Sequence, residues 1–149
     1  MMLTITRQTT PQDKSRVNQM LYFFNVKHFP DDLKDRYEEV SLSLKDDEGN
    51  VCGGLLGEIC WNWLEIHVLM VNEDFRKTGY GSKLLKEAEA IAEQKKCDFI
   101  KVDTLSFQAL DFYKKHGYVV YGTLDGVGRE FQHYYLKKEL EYKEDEVNQ

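Results

Sequence analysis

The stretch from Leu64 to Gln94 constrains the fold more than any other part of the sequence. Residues 64–71 alternate in the pattern of a β-strand, and residues 80–94 carry apolar side chains at the spacing of an amphipathic helix. A short loop that contains Gly79 and Gly81 joins the two. The segment therefore predicts a strand that leads into a helix through a glycine-bearing loop, with unpaired backbone N–H groups at the start of the helix. The alternation predicts one face with Leu64, Ile66, Val68 and Met70, and another with Glu65, His67, Leu69 and Val71.

Local patterns predict the remaining elements. The fold class that they indicate is α/β (α+β), in the order β-α-α-β-β-β-α-β-α-β-β, which gives a mixed sheet with helices packed on it. The predicted elements are strand 3–7, a helix that begins at Pro11, a short helix from Pro30 that contains Leu33 and Tyr37, strands 40–45, 51–59 and 64–71, helix 80–94, strand 99–104, helix 107–116, and strands 118–122 and 130–138.

Turn and cap residues support these boundaries. Thr10 is predicted to cap the first helix, with Pro11 at its first position. The polar cluster 46–50 predicts a hairpin between the strands on either side. Ser106 is predicted to cap the helix that starts at Phe107, and Gly117 to end it. Three glycines in the second strand of the hairpin indicate a bulge or a close approach of another chain segment, and they are Gly53, Gly54 and Gly57.

Length, charge and cysteine content limit the class of protein. The 149 residues fit one domain, placed at residues 1–140, followed by an acidic tail at 141–149 that we expect to fray. The formal net charge of −6 argues against a broad nucleic-acid footprint or a polybasic membrane surface. The three cysteines include no C-x-x-C pair, which argues against a disulfide scaffold or a zinc ribbon. We expect a cytoplasmic protein that binds no metal, no nucleic acid and no membrane.

The loop before the second helix is a candidate anion site. Arg76 and Lys77 supply positive charge, and the glycines allow a phosphate to approach the backbone at the helix start. The Walker pattern fails because Lys83 does not directly follow Gly81, and the dinucleotide-binding pattern fails because position 84 is leucine. Taken alone, the segment is equally compatible with a glycine turn that begins an amphipathic helix, with solvated basic side chains beside it.

Two motifs in this order resemble the GNAT superfamily of N-acetyltransferases. Residues 76–81, R-K-T-G-Y-G, match its acetyl-CoA motif R/Q-x-x-G-x-G/A at a strand-to-helix junction. Residues 106–118, S-F-Q-A-L-D-F-Y-K-K-H-G-Y, match N-x-x-A-x-x-F-Y-x-x-x-G-F/Y, with Ser106 in place of the usual asparagine. The resemblance is strongest over residues 64–138. It implies a single mixed, mostly antiparallel twisted sheet of about seven strands with about four helices.

The resemblance also implies a function. The expected reaction transfers an acetyl group from acetyl-CoA to a primary amine of a small molecule or peptide, by direct attack in a ternary complex. Tyr113 is the implied general acid, and His67 or Glu65 the candidate base. A non-catalytic acyl-CoA-binding or regulatory module of the same fold is the alternative, and a homodimer is consistent with the family. The implied cofactor-binding residues are Leu69, Met70, Val71, Arg76, Lys77, Thr78, Gly79, Tyr80, Gly81, Ser82, Ser106, Ala109, Phe112 and Tyr113.

Overall fold

The computed structural model describes residues 1–141, in which residues 1–35 form one compact unit and a second begins at Arg36. All but the first residue of the predicted acidic tail, 141–149, lies outside the described residues. None of the helices within residues 1–141 is long and apolar enough to cross a membrane.

The first unit contains one helix, α1, at Pro11–Val26. Its start is as predicted: the Thr10 hydroxyl accepts the Asp13 N–H at 3.1 Å, and the Asp13 carboxylate accepts the Thr10 N–H at 3.0 Å. The strand predicted at residues 3–7 is wrong, because that segment has no ladder partner and alternation alone cannot form a strand. The short helix predicted from Pro30 is also wrong. Only a single turn forms there, in which Leu33 and Lys34 both donate to the Pro30 carbonyl.

The second unit is a mixed sheet with two helices. Its six strands lie in the order β1-β2-β3-β4-β6-β5, and every neighbouring pair is antiparallel except β3 and β4. The described chain therefore has six strands and three α-helices, where about seven and about four were expected. The elements are β1 at Tyr37–Lys45, β2 at Val51–Cys60, β3 at Trp63–Val71, α2 at Tyr80–Gln94, β4 at Phe99–Leu105, α3 at Leu110–Lys115, β5 at Val119–Val127 and β6 at Phe131–Glu139, with a short 3-10 helix at Glu73–Phe75.

Helix α2 covers one face of the sheet. Its apolar stripe, which includes Leu85 and Ala88, packs with Leu64 and Ile100 of the central strands, and all four side chains are fully buried. The face that meets α2 excludes water from the centre of the sheet, so burial of these side chains supplies the main driving force for folding. The helix has the predicted limits and the predicted apolar stripe.

A bulge divides β3 into two halves. Leu56 of β2 lies opposite Val68, but Gly57 lies opposite Ile66, so His67 is an extra residue without a partner on β2. The extra residue reverses the alternation, because side-chain direction follows a period of two. The predicted faces are therefore correct up to His67 and wrong beyond it. Leu69 packs against the core, whereas Val68 and Met70, predicted to lie on the face of Leu64 and Ile66, are about half exposed.

The same bulge marks the point at which β3 and β4 separate. The two strands are paired in parallel from Trp63–Phe99 to Ile66–Val102, and no pairing follows within the described residues. The separation leaves the rest of β3 facing an opening in the sheet. On its other side β3 stays paired with β2, where a side chain at Gly57 would collide with the Glu65 carbonyl oxygen. The close approach predicted for the β2 glycines is thereby confirmed.

Candidate active site

A cleft of about 240 Å³ lies at the end of β3 and the start of α2. Its wall includes most of the predicted phosphate-binding loop and one residue that the sequence did not indicate, Phe75. Two residues of the loop, Lys77 and Gly79, have left-handed backbone conformations, with φ of 64° and 88°. Glycine suits that conformation at position 79 because it has no Cβ. The lining residues are Val71, Phe75, Arg76, Lys77, Gly79, Tyr80, Gly81, Ser82 and Phe112.

The start of α2 offers free donors to this cleft. The first hydrogen bond within the helix runs from the Lys83 N–H to the Gly79 carbonyl at 3.1 Å. The N–H groups of Tyr80, Gly81 and Ser82 precede it, and no side chain caps this end of the helix. Such a helix start attracts an anion through its free N–H groups and the helix dipole. The Phe112 ring packs against Gly81 and closes one side of the cleft. A Cβ at position 81 would lie 3.6 Å from that ring.

Three polar side chains of the loop region are held by neighbours. The Nε of Arg76 donates to the Val71 carbonyl at 3.0 Å, so the guanidinium group is fixed beside the end of β3. The Thr78 hydroxyl donates to the Phe75 carbonyl. The Ser82 hydroxyl lies 3.0 Å from Nε2 of His116. The loop is therefore ordered by its own contacts, which reduces the entropy that a ligand would have to remove on binding.

The unpaired edge of β3 runs into the same cleft. Asn72 donates its N–H to the Cys52 carbonyl of β2 at 2.7 Å. Because successive amides in a strand point to opposite edges, the N–H groups of Val71 and Leu69 point away from β2 and toward the opening beside β4. The contact of Arg76 with the Val71 carbonyl agrees with that direction. Met70 lies between the two and contacts the Arg76 guanidinium through its sulfur, at 3.8 Å.

The turn from β4 into α3 differs from the prediction at Ser106. The helix begins at Leu110, and Ser106 does not cap it. Ser106 instead joins β6, donating its N–H to the Gln132 carbonyl at 2.9 Å and accepting the Gln132 N–H on its hydroxyl at 3.1 Å. Near the start of the helix, the Thr104 hydroxyl accepts a hydrogen bond from the Ala109 N–H at 3.2 Å. The C-terminal stop is as predicted: Gly117 has a φ of 89°, and Tyr118 donates to the Tyr113 carbonyl.

Tyr113 lies in the core, on α3. Its side chain is 4% exposed and packs edge-on against Phe112 and Tyr118. Burial, with a smaller contribution from the charge of Asp103, raises the pKa of Tyr113 to about 12. No hydrogen bond of its hydroxyl is seen within residues 1–141. Because its pKa is raised, the group is a protonated phenol at neutral pH.

This pKa predicts a loss of stability in alkali. The pKa in the fold, about 12, exceeds the ordinary value of 10.0, so the fold favours the neutral phenol. The resulting stabilisation is complete below pH 10 and disappears between pH 10 and 12, by about 2–3 kcal/mol. Denaturant unfolding at pH 8, 10 and 11.5 should show a larger loss in the wild type than in Tyr113→Phe, which keeps Tyr118, a second tyrosine whose pKa burial raises. Equal losses in both proteins would contradict the assignment.

His67 lies beside two carboxylates. Glu58 of β2 lies opposite Glu65 of β3, and Nε2 of His67 is 3.3 Å from Oε1 of Glu58. The three side chains place donor or acceptor atoms within 4.8 Å of one another. The sequence prediction brought His67 and Glu65 together correctly but missed Glu58, because the pairing of β2 with β3 is not visible in local pattern. A hairpin register drawn through the turn at 61–62 would have found it.

A second histidine, His133 on β6, is fully engaged by protein groups. Its Nε2 is 2.9 Å from the Asp103 carboxylate and its Nδ1 is 3.2 Å from the Tyr135 hydroxyl. Both ring nitrogens therefore have partners already. Nδ1 of His67, by contrast, has no partner within residues 1–141. Of these two strand histidines, only His67 has a ring nitrogen free to accept a proton.

The sequence matches one family model and a characterised relative. The model of the acetyltransferase (GNAT) family matches residues 8–118. The blasticidin-S acetyltransferase of Streptomyces morookaense is 36% identical over 95 residues, which are 63% of this chain and 70% of the relative.

Solved structures agree with this match. A crystal structure of an acetyltransferase from Bacillus cereus superposes with a TM-score of 0.86 at 36% identity, over 92% of this chain and 98% of that one. An aminoglycoside 6′-N-acetyltransferase in complex with coenzyme A has a TM-score of 0.61 at 16% identity, over 97% of this chain and all (100%) of that one. At that lower identity the likeness concerns the fold alone.

Proposed function

Because the chain belongs to the GNAT family of acetyltransferases, we propose that it transfers the acetyl group of acetyl-CoA to a primary amine by direct attack in a ternary complex. The observation that carries the proposal is the position of the cleft. It joins an uncapped helix start, suited to a diphosphate, to an unpaired strand edge that leads into the sheet. A ligand with a phosphate at one end and an extended amide-containing arm fits that combination.

The phosphates of acetyl-CoA would bind at the loop. Donors are the N–H groups at positions 80–82, and Arg76 and Lys77 add positive charge. The hydroxyl groups of Thr78 and Ser82 complete the set. We also propose Ser106, Ala109 and Phe112 as contacts from the β4–α3 side, with Phe112 already in the wall of the cleft.

The thioester would lie along the edge of β3. The N–H groups of Leu69 and Val71 point into the opening between β3 and β4 and can donate to the amides of the arm or to the thioester carbonyl. A donor held by a strand is in place before charge develops on that oxygen, so it stabilises the tetrahedral oxyanion without reorganising. Met70 lies between these donors and helps to fix Arg76.

Two proton transfers complete the reaction. His67, or Glu65 through a water molecule, takes a proton from the attacking amine. Tyr113 donates its phenolic proton to the sulfur as the C–S bond breaks. The absence of a partner for the Tyr113 hydroxyl within residues 1–141 supports this assignment, since its proton is not committed elsewhere.

We propose that the acceptor is a small basic molecule. One relative is named for acetylation of blasticidin-S. Near His67, Glu58 and Glu65 lie directly opposite each other across β2 and β3. The like charges of such a pair repel each other, and a cationic acceptor would relieve that repulsion.

The experiment that tests the function is an acceptor screen. Acetyl-CoA is incubated with small amines, antibiotics, amino acids and peptides, and release of free thiol is measured. We expect thiol release above the rate of hydrolysis with at least one small basic amine. Binding of acetyl-CoA without thiol release for any acceptor would instead indicate a non-catalytic acyl-CoA-binding module of the same fold.

A further inference from the structure

We propose that Glu58 is a positioning residue that holds His67 in the tautomer whose Nδ1 accepts the proton of the amine. The inference rests on the proposed function and deepens it, because it selects His67 rather than Glu65 as the base. It also assigns a positioning role to Glu58, which belongs to neither of the two sequence motifs. Its basis is the contact between the two side chains across the β2–β3 pair, at the point where β3 and β4 separate.

Glu58 contacts His67 across the β2–β3 pair. Its direct partner on β3 is Glu65, and His67 lies diagonally beyond Glu65, within reach of a long side chain. Nε2 of His67 lies 3.3 Å from Oε1 of Glu58. The other carboxylate oxygen, Oε2, accepts a hydrogen bond from the Tyr37 hydroxyl of β1 at 2.8 Å. Glu58 is therefore held from one side by Tyr37 and holds His67 on the other.

This arrangement sets the tautomer of the ring. The Glu58 carboxylate oxygen lies 3.3 Å from Nε2, so its negative charge favours the tautomer that carries the hydrogen on Nε2. The lone pair of the neutral ring then lies on Nδ1, which has no partner within residues 1–141. A carboxylate that orients an imidazole in this way also stabilises the cation that forms when the ring accepts a proton.

In the proposed reaction, the amine nitrogen forms a bond to the thioester carbon, and its proton passes to Nδ1 of His67. The C–S bond then breaks, and the thiolate takes the proton of Tyr113. His67 returns its proton to solvent, and Tyr113 regains one from solvent, before the next turnover.

Several titratable groups lie near Glu58 and His67, and the experiment must separate their effects from that of Glu58. They are Tyr37 and Glu39 on β1, Cys60 on β2, Glu65 on β3 and Lys101 on β4. Glu39 is the matched control because it lies directly opposite Glu58 and carries the same charge, while the structure gives it no contact with His67 among residues 1–141. Removing Glu39 tests the effect of charge alone.

The direct test is the tautomer of His67, read from the ¹⁵N shifts of its ring in the free protein. We expect Nε2–H in the wild type and in Glu39→Gln. Glu58→Gln should shift the ring toward a mixture of tautomers, because the amide can also present an NH₂ group. An Nδ1–H ring in the wild type, or the same spectrum in all three proteins, would overturn the proposal. This readout does not depend on turnover.

The kinetic test uses the same variants. Glu58→Gln should lower kcat/KM at least ~10-fold, because the ring loses the charge that holds it in the accepting tautomer. Glu39→Gln should leave kcat/KM within about twofold, and acetyl-CoA affinity should be unchanged in both. Equal values of kcat/KM for the two variants, in a protein that still releases thiol, would refute the role of Glu58 while the proposed function stood.

Discussion

The substitution Gly79→Glu is expected to weaken acetyl-CoA binding at least ~100-fold. The new carboxylate would stand beside the free N–H groups at the start of α2, where we propose that the diphosphate binds. Two like charges about 4 Å apart near a protein surface repel by roughly 4 kcal/mol, and each ~1.4 kcal/mol is a factor of ten in affinity. The measurement is a calorimetric titration of the folded variant with acetyl-CoA.

Gly49 provides a matched control for this experiment. It too has a left-handed backbone, with φ of 83° against 88° at Gly79, and a Cβ would meet nothing within 4 Å at either position. Gly49→Glu therefore adds the same charge and the same backbone strain, but in the β1–β2 turn. We expect it to bind acetyl-CoA like the wild type. If both variants lose affinity equally, strain or net charge explains the loss, and the loop is not the phosphate site.

Removal of the Tyr113 hydroxyl is expected to reduce kcat about 100-fold or more, with acetyl-CoA affinity changed less than about twofold. A positioned general acid contributes roughly 10²–10⁴ to a rate, and the phenylalanine ring preserves the packing against Phe112 and Tyr118. The variant Tyr113→Phe should be assayed by steady-state thiol release and by direct binding of acetyl-CoA. A group that acts only in proton transfer changes turnover and leaves binding intact.

Tyr118 is the control for this change. Its ring lies 5.7 Å from that of Tyr113, and its hydroxyl is buried without a partner within the described residues. Tyr118→Phe thus removes the same group from the same cluster and should leave kcat unchanged. It should also raise stability slightly, because an unsatisfied buried hydroxyl costs about 1–3 kcal/mol. A loss of turnover in Tyr118→Phe equal to that of Tyr113→Phe would show that the cluster, not the phenol, matters.

Elements whose signals are local could be predicted from the sequence. The stripe of α2 and the caps at Thr10 and Gly117 depend on residues within one or two helical turns of each other. The predictions that failed depend on distant partners. Alternation at residues 3–7 gives a strand only with a neighbour to pair with, and Ser106 was drawn away from its helix by the backbone of Gln132 on β6.

The candidate site also has one part that is local in sequence and one part that depends on distant residues. The proposed phosphate loop is continuous in sequence, so its glycines and basic residues could be proposed as an anion site without a structure. The environment of His67 is not continuous, because it depends on the register of β2 against β3. Glu58 was missed because it is a neighbour of His67 only across that pair of strands. The reversal of faces beyond His67 comes from the bulge, which no local pattern marks, since one unpaired residue changes the direction of every side chain that follows.

The separation of β3 from β4 gives this sheet an edge in its interior. At an outer edge, free N–H and C=O groups can pair with any other chain and favour aggregation. The inner edge of β3 lies within the sheet, where β3 and β4 separate. Adjacent paired strands lie about 4.8 Å apart, so the two strands must be roughly twice that distance apart to admit one extended arm. Under the proposed function, this inner edge would give strand-like recognition to the arm of acetyl-CoA without presenting an open edge to other chains.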